Sequence, residues 1–440
     1  MFDCIVSLIT PPLKGAIAVI RISGEHTLEI GNSIFSRKIE KPNYVYYGHI
    51  KDKEEIIDEV MLTYFKGPKS FTGEDVIEIS CHGSMLIANE IISLIISKGA
   101  RVAERGEFTS RAFYNGRIDL VQAEAVNSLI NAETKEAKTL SLYSLGGETS
   151  SLLDPIKTKL ADILSNIEVN IDYPEYQDIE EVTNEKIINE MDELISTLDS
   201  LISKGEKSKL IVEGINVALV GRPNVGKSSL LNELLGKDKA IVTNIPGTTR
   251  DIVEGQINLN GLIVNLLDTA GIRDSDDVVE QIGINKSKET INNADLVIVV
   301  LEKGNITPED NEILEYTKDK KRLIVYNKDD LKENKSNDNE IYISCINHDI
   351  KALTDALSKL YSLDKMNALT PSLTSSRDIG LLNKAKENLI NAKQEALMGI
   401  SLDLISTSIK ASYDALKEIL GEEVKVDLTE EIFSRFCVGK

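Results

Sequence analysis

The octapeptide Gly221-Arg222-Pro223-Asn224-Val225-Gly226-Lys227-Ser228 constrains this chain more than any other stretch. It fits G-x-x-x-x-G-K-[ST], whose glycines let backbone N–H groups turn onto phosphate oxygens. Such a loop works between a strand and a helix, because the helix N-terminus adds its positive end to the anion site. The apolar run Ile215–Val220 before it reads as a buried strand. Ser229, Leu230, Leu231, Asn232, Glu233, Leu234 and Leu235 after it read as a helix. An α/β nucleotide-binding unit is therefore expected here. In that unit Lys227 reaches the β- and γ-phosphates and the Ser228 hydroxyl ligates Mg2+.

Three further motifs come in the order such a unit requires. Asp268-Thr269-Ala270-Gly271 comes after the apolar run Leu262–Leu267. Asp268 stands where a carboxylate of the outer metal sphere belongs, and Gly271 can donate its N–H to a γ-phosphate. Asn327-Lys328-Asp329-Asp330 fits N-K-x-D after a second apolar run. The Asp330 carboxylate can accept from guanine N1–H and its 2-amino group, a donor pair that adenine lacks. GTP is therefore expected over ATP. Between these motifs, Gly247-Thr248-Thr249-Arg250-Asp251 supplies Thr249 as a second Mg2+ ligand.

Two chemical gaps remain in this reading. Many GTPases carry a glutamine after the Asp-x-x-Gly motif to orient the attacking water. Ile272 stands there and cannot do so. The acidic segment 274–280 offers substitutes, Glu280 foremost, although the same carboxylates also fit a solvated face. Phosphoryl transfer further needs a cation beyond Mg2+ and Lys227. Arg222, Arg250 and Arg273 are available, with nothing to single one out. The Asn224 side-chain oxygen, with carbonyls of residues 243–248, can instead cage a monovalent cation.

At 440 residues the chain is expected to form two to four domains. No apolar run approaches the length of a membrane span. The start, Met1-Phe2-Asp3-Cys4-Ile5, lacks the basic region of a signal peptide, and Pro11-Pro12 interrupts its apolar stretch. The cytoplasm is the expected location. Cys4, Cys81, Cys345 and Cys437 lack metal-type spacing and read as reduced thiols. Net charge is −21, and residues 118–213 alone carry 8 basic and 20 acidic side chains. That excludes a basic nucleic-acid-binding tail, so any RNA contact must use a local patch.

Residues 1–117 read as strand-rich, with strands at 17–22 and 75–80 and a helix at about 84–98. From Leu120 the period becomes helical through Val121, Ala125, Leu129 and Ala132. Helices are expected to about Gly205, broken at Gly146-Gly147 and Asp172-Tyr173-Pro174. The GTPase unit occupies 214–363, and residues 373–434 return to helix. Residues 332–340 read as a polar loop. The fold class is multidomain α/β + α. Its parts are a strand-rich domain (1–117), an all-α helical domain (118–213 and 364–440) and a P-loop GTPase domain inserted in the latter (214–363).

Blocks outside the GTPase motifs carry a family resemblance. They are Pro11-Pro12, Gly15 to Gly24, Phe71 to Asp75, Glu78 and Cys81-His82-Gly83. Gly106 to Leu120, Gln122-Ala123-Glu124-Ala125 and the end Phe433 to Lys440 complete the set. Over essentially its full length the chain resembles the tRNA-modifying GTPase family MnmE, also called TrmE. The resemblance implies an N-terminal domain that dimerises and binds 5-formyl-tetrahydrofolate or a related folate. It implies a flavin-dependent partner, MnmG, with which the protein modifies C5 of the wobble uridine of certain tRNAs. GTP hydrolysis would then drive rearrangement of the complex.

Carried over by position, the folate contacts fall on Arg21, Glu78, Arg117 and Lys440. The family usually has lysine where Arg117 stands, which keeps the charge and changes the geometry. The resemblance places K+ at Asn224, Thr243, Ile245 and Thr248, and Mg2+ at Ser228 and Thr249. It places the water-orienting acid at Glu280 and a residue essential to modification at Cys437; Lys227, read from the phosphate-loop motif, is the expected catalytic lysine. For Cys437 a thiolate nucleophile beside Lys440 and a buried structural thiol both stay open. GTP contacts are expected at Asn224, Val225, Gly226, Lys227, Ser228, Ser229, Thr243, Asn244, Ile245, Pro246, Gly247, Thr248 and Thr249. They continue at Asp268, Thr269, Ala270, Gly271, Asn327, Lys328, Asp330 and Ser344. Cys345 and Ile346 depart from the usual base-binding loop, and His82 reads as a turn residue. Two other classes compete: a GTP-dependent RNA or ribosome assembly factor, and a slow switch awaiting an activator. The first usually carries a basic appendage, which is lacking here, and the second predicts equal hydrolysis in K+ and Na+.

Overall fold

The computed structural model describes residues 3–173, 183–236, 240–241, 253–259, 261–267, 290–328, 340–361, 369–423, 426–436 and 439. The chain divides into two compact units: residues 1–127, 144–198 and 380–440 form one, and residues 128–143 and 199–379 the other.

The first unit opens with β1 (Ile5–Leu8), β2 (Ile17–Ser23), α1 (Thr27–Ile34), β3 (Val45–Asp52) and β4 (Glu55–Phe65). It continues with β5 (Val76–His82), α2 (Met85–Ser97), β6 (Arg101–Val102) and α3 (Glu107–Tyr114). The strands form one sheet in the order β3-β4-β5-β2-β1-β6. All neighbours are antiparallel except β1 and β6. Alternation sends Ile20, Ile22, Leu62, Ile77 and Ile79 into a core with Ile30, Ile34, Ile91 and Ile95 of the two helices. The opposite face carries Arg21 and Glu78, which are register partners. A one-residue slip would bury these two charges in the apolar core, so the register is strongly specified. The β3–β4 hairpin is not among the strands expected from sequence. Its charged turn, with Lys53 in the left-handed region at φ 55, hides the alternation on either side.

Helices α4 (Leu120–Ile130), α5 (Lys135–Leu145), α6 (Asp154–Asp172) and α7 (Asn184–Val212) come next. The expected stop near Gly205 is wrong: α7 runs on to Val212. A Cβ on Gly205 would lie 2.6 Å from the Leu373 carbonyl oxygen. This glycine admits a close neighbour and does not end the helix.

The nucleotide-binding fold has β7 (Ile215–Val220), α8 (Lys227–Gly236), β8 (Ala240–Ile241), β9 (Val253–Leu259) and β10 (Leu262–Leu267). Then come β11 (Leu296–Glu302), α9 (Pro308–Tyr316), β12 (Arg322–Asn327), β13 (Ile341–Tyr342) and α10 (Lys351–Leu360). The strand order is β13-β12-β11-β7-β10-β9-β8, parallel from β13 to β10. Residues Leu296 to Leu301 are wholly buried, as a central parallel strand covered on both faces requires. Later strands add on both sides of β7, so the loop after β7 lies where the order reverses, the place such sheets bind ligands.

The chain returns to the first unit through α11 (Ser376–Leu397), then α12 (Leu402–Leu420) and α13 (Val426–Ser434). Ile156, Leu160, Ile163 and Ile167 of α6 form one buried stripe, and Ile405, Ile409, Leu416 and Ile419 of α12 another. The Lys157–Glu422 ion pair ties the start of α6 to the turn after α12. Ile432, Phe433 and Phe436 pack against Leu120, Ala123 and Val126.

Candidate functional site

The loop after β7 has the geometry its motif demands. A Cβ at Gly226 (φ 99) would lie 2.2 Å from the Asn327 side-chain nitrogen. Only glycine fits there, and that nitrogen instead donates to the Val225 carbonyl at 2.9 Å. Asn224 is exposed and left-handed at φ 64, uncommon for a residue with a Cβ. Lys227 opens α8, and its Nζ donates to the carbonyls of Gly221 (2.7 Å) and Arg222 (2.9 Å). Ser228 and Ser229 are both exposed in the first turn of that helix.

The loop that opens the N-K-x-D motif stands beside it. Asn327 is buried at the end of β12, and its Oδ1 accepts from the Cys345 amide at 3.4 Å. Lys328 is left-handed at φ 64. Ser344 is buried and exchanges backbone hydrogen bonds with Asp349, both at 3.0 Å, closing a tight loop. His348 Nδ1 meets Glu233 Oε2 at 2.7 Å, tying that loop to α8. Asn224, Val225, Gly226, Lys227, Ser228, Ser229, Asn327, Lys328 and Ser344 thus gather at one end of one sheet. Thr243, Asn244, Ile245, Pro246, Gly247, Thr248, Thr249, Asp268, Thr269, Ala270, Gly271, Glu280, Asp330, Cys437 and Lys440 lie outside the described residues, as does most of the 332–340 loop.

Arg222 resolves one open question. Its Nη2 donates to Glu302 Oε2 at 2.7 Å and its Nε to Asp310 Oδ2 at 3.2 Å. Asp310 is wholly buried and also accepts from the Thr307 amide and hydroxyl at the start of α9. A guanidinium so committed holds the loop and is not free to move onto a phosphate. Burial pushes the Glu302 carboxyl up, but the charge of Lys328 outweighs it, with hydrogen bonds from Asn305, Arg222 and Lys328. The net effect holds Glu302 below the usual carboxylate range.

The N-terminal sheet carries a second polar site. Arg21 Nε and Nη2 both donate to Glu78 Oε1, at 2.9 and 2.7 Å. The guanidinium stacks 4.7 Å from the Phe71 ring centroid and 5.4 Å from that of Phe108. Its remaining nitrogen, Nη1, is buried with no partner among the described residues. Arg117 stands on the same Phe71 ring at 5.3 Å and donates to the Phe71 carbonyl at 2.6 Å. Gly439 abuts Leu8 and Ile9 at the end of β1, beside β2: a Cβ there would lie 2.5 Å from the Leu8 oxygen. A buried, unmatched donor beside a flat ring fits a planar ligand with an acceptor edge.

Sequence reasoning missed Glu302, Asp310, Phe108 and the group around Arg111. It read His82 as a turn residue, but His82 ends β5, and its Nδ1 meets the buried Asp58 Oδ1 at 2.7 Å. Cys4 and Cys81 are buried free thiols; burial, then the charge of Asp58, pushes Cys81 up to about 11. Among the described residues, no helix is long and apolar enough to cross a membrane.

Known proteins match the chain in two blocks. Residues 4–117 match the family described as GTP-binding protein TrmE N-terminus, and residues 120–437 the MnmE helical domain. The tRNA modification GTPase MnmE of Streptococcus thermophilus (strain CNRZ 1066) is 42% identical over 100% of this chain and 99% of its own. That of Clostridioides difficile (strain 630) is 43% identical with the same coverage. Among solved structures, Aquifex aeolicus Era bound to GDP.AlF4− is 25% identical with a TM-score of 0.27, covering 40% of this chain and 67% of that one. The G domain of T. maritima FeoB is 26% identical with a TM-score of 0.25, covering 34% and 98%. With both family matches spanning nearly all its residues and full-length relatives above 40% identity, the chain belongs to the MnmE family of tRNA modification GTPases.

Proposed function

We propose that this GTP hydrolase is activated by K+ and works as a homodimer with the flavin-dependent partner MnmG. Together they modify C5 of the wobble uridine of certain tRNAs with a folate-borne one-carbon unit. The observation that carries the K+ reading is the commitment of Arg222 to Glu302 and Asp310, which takes one arginine out of the transition-state role. Asn224, exposed and left-handed on the phosphate loop, offers its oxygen to a monovalent cation, with Thr243, Ile245 and Thr248 completing the cage. Ser228 and Thr249 would hold Mg2+, which supplies charge neutralisation at the phosphates. Glu280 would orient the attacking water. Cys437 would serve the modification step, and the domains divide at 117, 213 and 363. Exposed Val45, Tyr47 and Met61 on one face of β3–β4 give the N-terminal sheet an apolar surface suited to dimerisation. The cytoplasm is the compartment this reading implies.

GTP hydrolysis is expected to be faster in K+ than in Na+ at equal ionic strength by about 10-fold or more, a smaller gain than the roughly 1000-fold or more that an arginine finger supplies. Equal rates in the two salts would remove the K+ reading. Nucleoside analysis of tRNA from cells lacking the protein tests the modification itself: an unchanged wobble uridine profile would overturn it.

The second site supports the folate reading through its unmatched Arg21 Nη1 and through Phe71, on which a pterin ring could lie. Arg21→Met should weaken 5-formyl-tetrahydrofolate binding by about 100-fold, since it removes the buried charged donor left for a ligand, Nη1, and the cation that holds Glu78. GTP hydrolysis should persist in that variant. Calorimetric titration of the folate checks this, and wild-type affinity in the variant would remove Arg21 from the site.

A further inference from the structure

We propose that Glu302 is a positioning residue for nucleotide binding, fixing the separation between the phosphate loop and the base loop through Arg222 and Lys328. Topology sets its place. β11 lies between β7, which ends in the phosphate loop, and β12, which ends in the base loop. Glu302 is the last residue of β11 and the register partner of Asn327. Its carboxylate therefore has one loop on each side. Oε2 accepts from Arg222 Nη2 at 2.7 Å, and Oε1 lies 3.4 Å from Lys328 Nζ. The three side chains are only 16, 21 and 28% exposed, in the order Arg222, Glu302, Lys328. The pairs are thus shielded from the screening that weakens surface ion pairs.

Both loops need such a tether. Asn224 and Lys328 each hold a left-handed backbone that persists only where the surroundings over-determine it. The Arg222 arm is rigid at its far side, because Asp310 is buried and fixed by the Thr307 cap. Asn327 Nδ2 on the Val225 carbonyl makes a second, parallel link between the loops. A guanine nucleotide must fill both half-sites at once. Its affinity exceeds that of either fragment only while their separation matches the ligand. In this arrangement Glu302 acts through its two cations, Arg222 and Lys328. The inference rests on residues 327–330 being the base loop.

The test uses the full-length protein and three probes: GDP, guanosine alone and inorganic pyrophosphate alone. Glu302→Gln keeps the shape and loses the charge that holds both cations. Its GDP affinity is expected to fall about 10-fold, the weight of one charge-assisted link. KM for GTP should rise by the same factor with kcat unchanged, while guanosine and pyrophosphate bind as in wild type. Glu302→Asp, one methylene shorter, reaches one cation at a time and should fall between. If thermal unfolding shows that Glu302→Gln has lost its fold, Glu302→Asp carries the same comparison. Wild-type GDP affinity in the folded variants overturns the proposal. So does a loss in either fragment as large as the loss in GDP, or a fall in kcat at constant KM. Failure of the base-loop reading is separately visible: wild-type protein would then bind ADP as well as GDP.

Discussion

Lys227→Ala is expected to lower kcat/KM for GTP by about 1000-fold, the cost of removing one preorganised donor at a developing phosphate charge. Lys227 Nζ rests on the carbonyls of Gly221 and Arg222, at 2.7 and 2.9 Å. Those two bonds point the ammonium across the mouth of the loop, where β- and γ-phosphates would lie. Lys227→Arg should not restore activity. A planar guanidinium cannot place one point charge between two loop carbonyls and two phosphates. Folding should be little affected, because the lysine is only half-buried and fills no apolar core. Steady-state hydrolysis, GDP affinity and thermal unfolding measured together check this. Hydrolysis within about tenfold of wild type would mean that the loop is not the phosphate site.

The parts of this site legible in the sequence are those whose partners are neighbours in the chain. The phosphate loop needs only a strand before it and a helix after it, and β7 and α8 supply both. The N-K-x-D asparagine was legible for the same reason, since it ends an apolar strand. Arg222 was ambiguous because its partners lie 80 and 88 residues away, on β11 and at the start of α9. No local pattern distinguishes an arginine held by a buried carboxylate from one free to reach a phosphate. Glu302 was invisible because a single acid after an apolar run reads as a strand end. Arg21 and Glu78, 57 residues apart, were placed by resemblance alone. Their shared face became clear only with the β2–β5 register. Gly205 shows the reverse error: a local stop signal was answered by a distant contact.

Arg111→Met is expected to destabilise the first unit by about 3 kcal/mol, the usual cost of stripping a buried charge from its partners. Arg111 is 2% exposed in α3. Its Nη1 donates to the Asp3 carbonyl at 2.6 Å, and its Nη2 to Asp3 Oδ1 at 2.8 Å and Glu107 Oε1 at 2.9 Å. Glu74 lies 3.3 Å away. Methionine fills the volume but leaves Glu74 and Glu107, only 12 and 14% exposed, without that cation. The loss should depend on pH in a defined direction. A hydrogen bond from Arg101, then from Arg111, holds Asp3 below its ordinary 3.8. Burial pushes Glu107 up, but hydrogen bonds from Arg101, the Glu104 amide and Arg111 outweigh it and hold it below 4.5. Carboxyls depressed in the folded state stabilise above their unfolded values and cease to do so as pH falls through the folded ones. The gap between wild type and variant should therefore be full at neutral pH and shrink below about pH 4. In urea, the first unfolding midpoint should drop by about 1 M or more at neutral pH, given slopes of a few kcal/mol per molar. An unchanged midpoint, or an equal loss at both pH values, would show that Arg111 packs the sheet face without contributing through its charge.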